Sequence, residues 1–162
     1  MSVKLELVAI EKPADTNVII GQSHFIKSAE DLYEAMANAG GGIRFGIAFL
    51  EASGACKVRV TGNDDALMAL AGKNAMALGT GHAFLIFMDK GFPINVLNNV
   101  KAVPEVCSIY CATANPVQVV VASSEQGRGI LGVIDGAPPN GLEDAEDVAW
   151  RQSFLRKIGY KL

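Results

Sequence analysis

Apolar and charged residues alternate through Val3-Lys4-Leu5-Glu6-Leu7 and on to Ile10, the period of two expected of a half-buried strand. Pro13 and Asp15 mark a turn, and Asn17-Val18-Ile19-Ile20-Gly21 reads as a second short strand that leads into a polar connection, Gln22-Ser23-His24-Phe25. The pattern then changes to helical spacing. Ser28 is placed to cap a helix, Asp31 stands three residues on, and Leu32, Met36 and Ala39 recur before a stop at Gly40-Gly41-Gly42, which predicts a helix over 28–39. A strand is expected over 43–50, a second over 56–60, and a helix from Asn63 or Asp64 to Leu78, with Leu67, Leu70, Ala71, Ala75 and Leu78 on one side.

Ala83-Phe84-Leu85-Ile86-Phe87-Met88 is apolar at every position and of strand length. Pro93 suits the first turn of a short helix reaching about Val100. Strands follow over 107–113, 117–122 and 130–134, the last two as a hairpin, and the 144–158 stretch predicts a final helix. About four helices and six to eight strands result, several of the strands fully apolar. Such strands imply a sheet covered on both faces. The expected fold is α/β (α+β): a single domain over 1–162, a three-layer α/β/α sandwich with a mixed sheet.

Composition adds an expectation about assembly. Half of the 162 residues are hydrophobic and mean hydropathy is +0.27, yet no apolar run approaches the ~20 residues that cross a bilayer. The excess is assigned to a filled core and a buried subunit interface, hence a homo-oligomer. The N-terminal residues carry charges and no signal-peptide pattern, and net charge is −3 without a basic patch, so neither membrane nor nucleic acid is expected as partner. Cys56, Cys107 and Cys111 are odd in number and flanked by apolar residues, which suggests reduced, buried thiols in a cytoplasmic protein; on a strand, Cys107 and Cys111 would share a face.

The candidate chemistry gathers where the second helix ends. Gly79-Thr80-Gly81-His82 sits at the mouth of the apolar strand 83–88, and glycines let backbone approach a ligand. Histidine can act as acid, base, metal ligand or nucleophile; the plainer alternative is that His82 closes the strand with a hydrogen bond to a nearby carbonyl. Glu51-Ala52-Ser53-Gly54 has the parts of a ligand loop, or of an ordinary hairpin turn. Gly127-Arg128-Gly129-Ile130-Leu131-Gly132 matches the dinucleotide fingerprint, but strand rather than helix follows it. Ala71-Gly72-Lys73-Asn74 lacks both the first glycine and the final Ser/Thr of a phosphate loop. No metal-ligand spacing and no G-x-S-x-G elbow is present.

Taken together, several stretches resemble the adenosine-specific kinase family. They are Asn17-Val18-Ile19-Ile20-Gly21-Gln22-Ser23-His24-Phe25-Ile26-Lys27, Gly46-Ile47-Ala48-Phe49-Leu50-Glu51-Ala52-Ser53-Gly54, Gly79-Thr80-Gly81-His82, Phe92-Pro93-Ile94-Asn95-Val96-Leu97-Asn98, Cys111-Ala112-Thr113-Ala114-Asn115-Pro116 and residues 125–136. The resemblance covers nearly the whole chain. It implies a trimer of three-layer domains that binds adenosine or AMP, and a phosphorylated histidine that maps onto His82. No resident cofactor is implied; transfer needs ATP or another phosphate donor, with Mg as its accompanying ion. In this reading the Thr80-Gly81-His82 N–H groups cradle phosphate and Arg128 or Lys90 offsets its charge. Asn95, Asn98 and Asn115 read adenine or ribose, and Glu51 and Ser53 meet ribose or phosphate. His24 is the alternative site of phosphorylation. A non-catalytic adenine-nucleotide sensor with a pocket between subunits is the other function considered.

Overall fold

The computed structural model describes residues 2–162. Its elements are β1 (Lys4–Ala9), β2 (Asn17–Ser23), α1 (Ser28–Ala37), β3 (Arg44–Leu50), β4 (Val58–Gly62), α2 (Asp65–Leu78), β5 (Ala83–Asp89), α3 (Pro93–Ala102), β6 (Val106–Thr113), β7 (Val117–Ser123), β8 (Arg128–Asp135) and α4 (Ala145–Lys157). They form an α+β fold with two sheets, a five-stranded one in the order β4-β3-β5-β2-β6 and a three-stranded one in the order β1-β7-β8.

Every strand pair is antiparallel, so the expected mixed sheet does not form. The fully apolar runs gave the wrong impression because any sheet covered on both faces loses its polar alternation, whatever the strand direction. On one face Ile19, Phe45, Ile47, Phe49, Phe84 and Ile86 pack against Leu32 and Met36 of α1 and Val96 and Val100 of α3. On the other, Val18, Ile20, Ala48, Leu85 and Phe87 meet Leu67, Ala71, Ala75 and Leu78 of α2 together with Val117, Val119 and Val121 of β7. The small sheet therefore shares this second layer with α2.

Several local expectations shift. Ser28 is the first residue of α1 rather than its cap, because its hydroxyl donates backward to the Phe25 carbonyl at 2.5 Å. Gln22 and Ser23 extend β2 instead of forming a connection. Asp64 does cap α2, accepting from the Leu67 N–H at 3.0 Å. Two register shifts interrupt the pairing of β6 with β2, one opposite Ile20/Gly21 and one opposite Gln22/Ser23. These bulges break the period of two, so Cys111 faces the core while Cys107 is exposed. Cys56 is also exposed, in the turn before β4 with φ 47°, so only one of the three thiols is buried as expected.

The approach of α2 to the sheet depends on Gly46. A methyl group there would lie 2.2 Å from the Leu67 carbonyl carbon, against helix backbone that has no rotamer to change. We predict that Gly46→Ala destabilises the fold by about 1–3 kcal/mol in thermal unfolding. Gly72→Ala, whose methyl would meet Val60 at an ordinary 3.4 Å, is neutral or stabilising because alanine is the better helix former. Equal effects of the two would contradict the packing described. Burial also pushes the Cys111 thiol up to about 11, with Asp135 adding to the rise, so it stays protonated at neutral pH. A thiol-reactive dye should label Cys56 and Cys107 in the native protein and reach Cys111 only after denaturation.

Candidate functional site

Helix α2 ends in a left-handed Gly79, φ 58°, whose N–H bonds to the Ala75 carbonyl at 2.9 Å. The next three residues bend the chain into β5 and are tied to three different strands. The Gly81 N–H donates to the Arg128 carbonyl at 3.3 Å, the His82 N–H donates to the Leu50 carbonyl at 2.9 Å, and the His82 carbonyl accepts from the Ser23 N–H at 3.0 Å. Gly81 is required by proximity, since a methyl group would stand 2.9 Å from the Ala52 Cβ. His82 itself has φ 51°, a region sparsely occupied by residues with a side chain. Two of the three N–H groups expected to cradle phosphate are thus engaged by the fold, and that part of the expectation fails.

The strained φ decides where the imidazole goes. Its ring lies nearly parallel to that of Phe49, 6.1 Å between centroids and 13° between planes, and Phe49 belongs to the α1/α3 face of the large sheet. There His82 Nε2 is 3.5 Å from Glu51 Oε1, with the histidine side chain 32% exposed and the glutamate 7%. The Ser53 hydroxyl donates to Glu51 Oε1 at 3.3 Å and Arg59 Nε to Oε2 at 3.5 Å. Burial raises the Glu51 carboxyl, but the bonds from Ser53, Arg59, the Ala52 N–H and His82 outweigh it and hold the group below the usual carboxylate range. Glu51 is therefore an ion at neutral pH, next to a partly open imidazole.

On the α2 side of the same turn lies a cavity of about 720 Å³, bounded by the β3–β4 loop, the end of α2 and the β7–β8 hairpin. Its size falls within the range of small-molecule sites. Glu51, Lys57, Thr80, Gly81, Gln126 and Arg128 are among the residues that line it. Thr80 is 3% exposed and its hydroxyl has no partner; Arg128 Nε is likewise buried without one, while Arg128 Nη2 sits 3.4 Å from Glu6 Oε2. Unpaired buried donors are costly, and a ligand atom would relieve both. Across β2, Ser23 Oγ and Glu105 Oε2 are also buried and unpaired; Glu105 Oε1 holds Lys27 at 3.1 Å.

The structure thus brings together Glu51, Ser53, Thr80, Gly81, His82 and Arg128. It does not bring Asn95, Asn98 or Asn115 to them. β5 carries the chain from His82 to Asp89, about 20 Å at the strand rise, and Lys90 and α3 begin at that far end. The Asn95 side chain accepts from the Phe92 N–H at 2.8 Å and caps α3, and Asn115 donates to Asp135 at 3.0 Å. Asn98 is exposed on α3, across the large sheet from the cavity. His24 is exposed; its N–H bonds to the Glu105 carbonyl at 3.1 Å and its ring lies beside Phe25. Sequence reasoning missed Lys57, Arg59 and Gln126. The first two had a signal: β3 and β4 pair as a hairpin, with Leu50 opposite Val58 and Phe49 opposite Arg59, so their side chains flank Glu51.

Among the described residues no group of three or more His, Cys, Asp or Glu side chains is arranged to hold a metal ion, and no helix is long and apolar enough to cross a membrane. No curated protein matches the chain. Among solved structures it is similar to the PH1918 protein from Pyrococcus horikoshii OT3, at 48% identity over 99% of each chain and a TM-score of 0.95. The family described as adenosine specific kinase matches residues 8–161. With a match over almost its full length, the chain belongs to the adenosine specific kinase family.

Proposed function

We propose that the protein is a phosphotransferase of the cytoplasm that binds adenosine or AMP in the cavity beside the 79–82 turn and transfers phosphate through phospho-His82. The observation that carries this reading is the turn itself, which bounds a cavity with Thr80 and Gly81 and continues into His82, whose Nε2 lies 3.5 Å from a Glu51 carboxylate oxygen. The family supplies the adenosine. Lys57 and Arg128 offset phosphate charge, and the Thr80 hydroxyl donates to the ligand. Magnesium would enter on the phosphates of ATP or another donor.

A second reading is favoured by one specific fact: the His82 ring lies on the α1/α3 face, while the cavity lies on the other. A non-catalytic adenine-nucleotide sensor would need no such contact. Intact mass after incubation with ATP, with and without adenosine, separates the two. Phosphotransfer predicts a gain of one phosphoryl group, acid-labile and base-stable, that is discharged by adenosine. His82→Ala should abolish it and leave the fold intact, and His24→Ala should retain it. Label that persists in His82→Ala and disappears in His24→Ala would move the chemistry to His24; nucleotide binding without any label would leave the sensor.

A site that hydrogen-bonds one base rejects analogues that leave its buried groups unpaired. Calorimetry should therefore show adenosine and AMP binding and no heat from guanosine or cytidine. Equal affinity for all of them would remove adenine from the account.

Self-association belongs to the same proposal, as a homotrimer. No residue of α4 is buried, and its Trp150 stacks on Phe154 with 5.2 Å between centroids while both remain accessible. Leu5, Leu7 and Leu131 stand exposed on β1 and β8. Apolar surface of this kind is covered in assemblies. Sedimentation should give a trimer for the unaltered protein and a smaller species for Trp150→Glu. A stable monomer of the unaltered protein that still binds nucleotide would contradict the assembly.

A further inference from the structure

The first half of β1 has its apolar side turned away from the core. On its inner side Lys4 and Glu6 stand opposite Ser123 and Val121 of β7. On its outer side Leu5 and Leu7 stand opposite Ala122 and Val120, and they are 63% and 59% exposed. β8 extends the same outer face, with Gly129 opposite Ala122, Gly132 opposite Val120, and an exposed Ile134 opposite Gln118. An antiparallel sheet with one wet face turns its polar residues to water. The small sheet instead shows water an apolar surface built by all three strands.

Helix α4 has the complementary shape. Trp150 and Phe154, with Ile158 at the C-cap, recur at i, i+4 and i+8 and so line one side of it. All three are exposed, Trp150 at 67%. A helix of 13 residues is marginal in water unless a face of it is packed. The segment 137–144 that carries α4 away from β8 is exposed and contains Pro138-Pro139, which stiffens it as an extended spacer. The chain exposes 9606 Å², whereas a compact monomer of 17.1 kDa exposes about 7,750 Å². The surplus of roughly 1,850 Å² lies in the range of one specific protein–protein interface, about 1,200–2,000 Å².

We propose that α4 of one copy docks, through Trp150, Phe154 and Ile158, on the outer face of the small sheet of a second copy. Helix and sheet are different surfaces, so the contact is head-to-tail: each copy gives its helix to one neighbour and receives a helix from another. Every copy then buries both halves of one interface, which accounts for the size of the surplus surface. The contact also reaches the cavity. Ala122 and Gly129 belong to the outer face, Val3 immediately precedes β1, and all three line the cavity. A helix seated on that face therefore borders the cavity and gives it a wall from the neighbouring copy. The shared wall rests on the reading of the cavity as the nucleotide site; the docking does not.

Trp150 is the only tryptophan of the chain, so its fluorescence reports the contact directly. In the unaltered protein it should be shielded from acrylamide; a Trp150 fully open to the quencher overturns the proposal whatever the variants do. Leu5→Glu combined with Leu7→Glu spoils the sheet and keeps the helix, and Trp150→Glu does the reverse and carries no tryptophan. The three positions are exposed within the single chain, so both variants should fold, which circular dichroism checks. Each alone should sediment as a monomer, with Trp150 of the sheet variant quenched. Their equimolar mixture should give a species of two chains in which Trp150 is shielded again, because the intact helix of one variant meets the intact sheet of the other. Assembly of either variant alone, or a mixture of folded variants that stays monomeric and quenched, overturns the head-to-tail docking. AMP should bind the mixture more tightly than it binds either variant; equal affinity for all three overturns the shared wall. AMP that binds none of them, nor the unaltered protein, removes the nucleotide reading, and the docking stands on sedimentation and fluorescence.

Discussion

Three backbone hydrogen bonds at the end of α2 hold the candidate site together. Through them the 79–82 turn is joined to β8 at Arg128, to β3 at Leu50 and to β2 at Ser23. The turn cannot relax without loosening both sheets. That rigidity is what sustains His82 at φ 51° and keeps Thr80 buried with its hydroxyl unpaired. The core explains why the anchor is firm: β5, which the turn feeds, lies centrally in the large sheet and is apolar on both faces from Ala83 to Met88.

The same turn divides the chemistry between two faces. On the α2 side are the cavity, Arg128, Lys57 and the Thr80 hydroxyl; on the α1/α3 side are His82, Glu51, Ser53 and Arg59. Glu51 takes part in both, lining the cavity and lying 3.5 Å from the imidazole. A buried carboxylate carrying several charge-assisted bonds is a costly feature that structural needs alone do not call for, and Ser53 supplies one of those bonds. Both residues come from the β3–β4 loop, so the loop has a constructive part in the site rather than serving only as a hairpin connection.

Much of the fold could be read from the sequence. Period-two and period-3.6 patterns place every helix and strand within a few residues, and the glycines around Thr80 mark the turn between α2 and β5. What pattern could not convey was pairing. Strand direction is not legible here, because burial on both faces erases the alternation that distinguishes antiparallel sheets. Apolar neighbours and a strand's period of two assign Cys107 to the core with Cys111; the bulges in β6 shift side chains from one face to the other, and nothing local to 106–113 announces them. At the site, Glu51, His82 and Arg128 were legible as residue types in glycine-rich surroundings. Asn95 and Asn115 carry the right chemistry too, but their amides are used in capping α3 and bracing the β6–β7 turn, a distinction that depends on which end of β5 a residue occupies.

The central claim is that the adenine nucleotide lies in the cavity bounded by the β3–β4 loop, the end of α2 and the β7–β8 hairpin. A crystal structure of the protein soaked with AMP tests it most directly. The account predicts AMP in that cavity, its phosphate satisfying Arg128 Nε and the Thr80 hydroxyl. AMP bound at the far end of β5, beside Asn95 and Asn115, with the cavity empty, would contradict it.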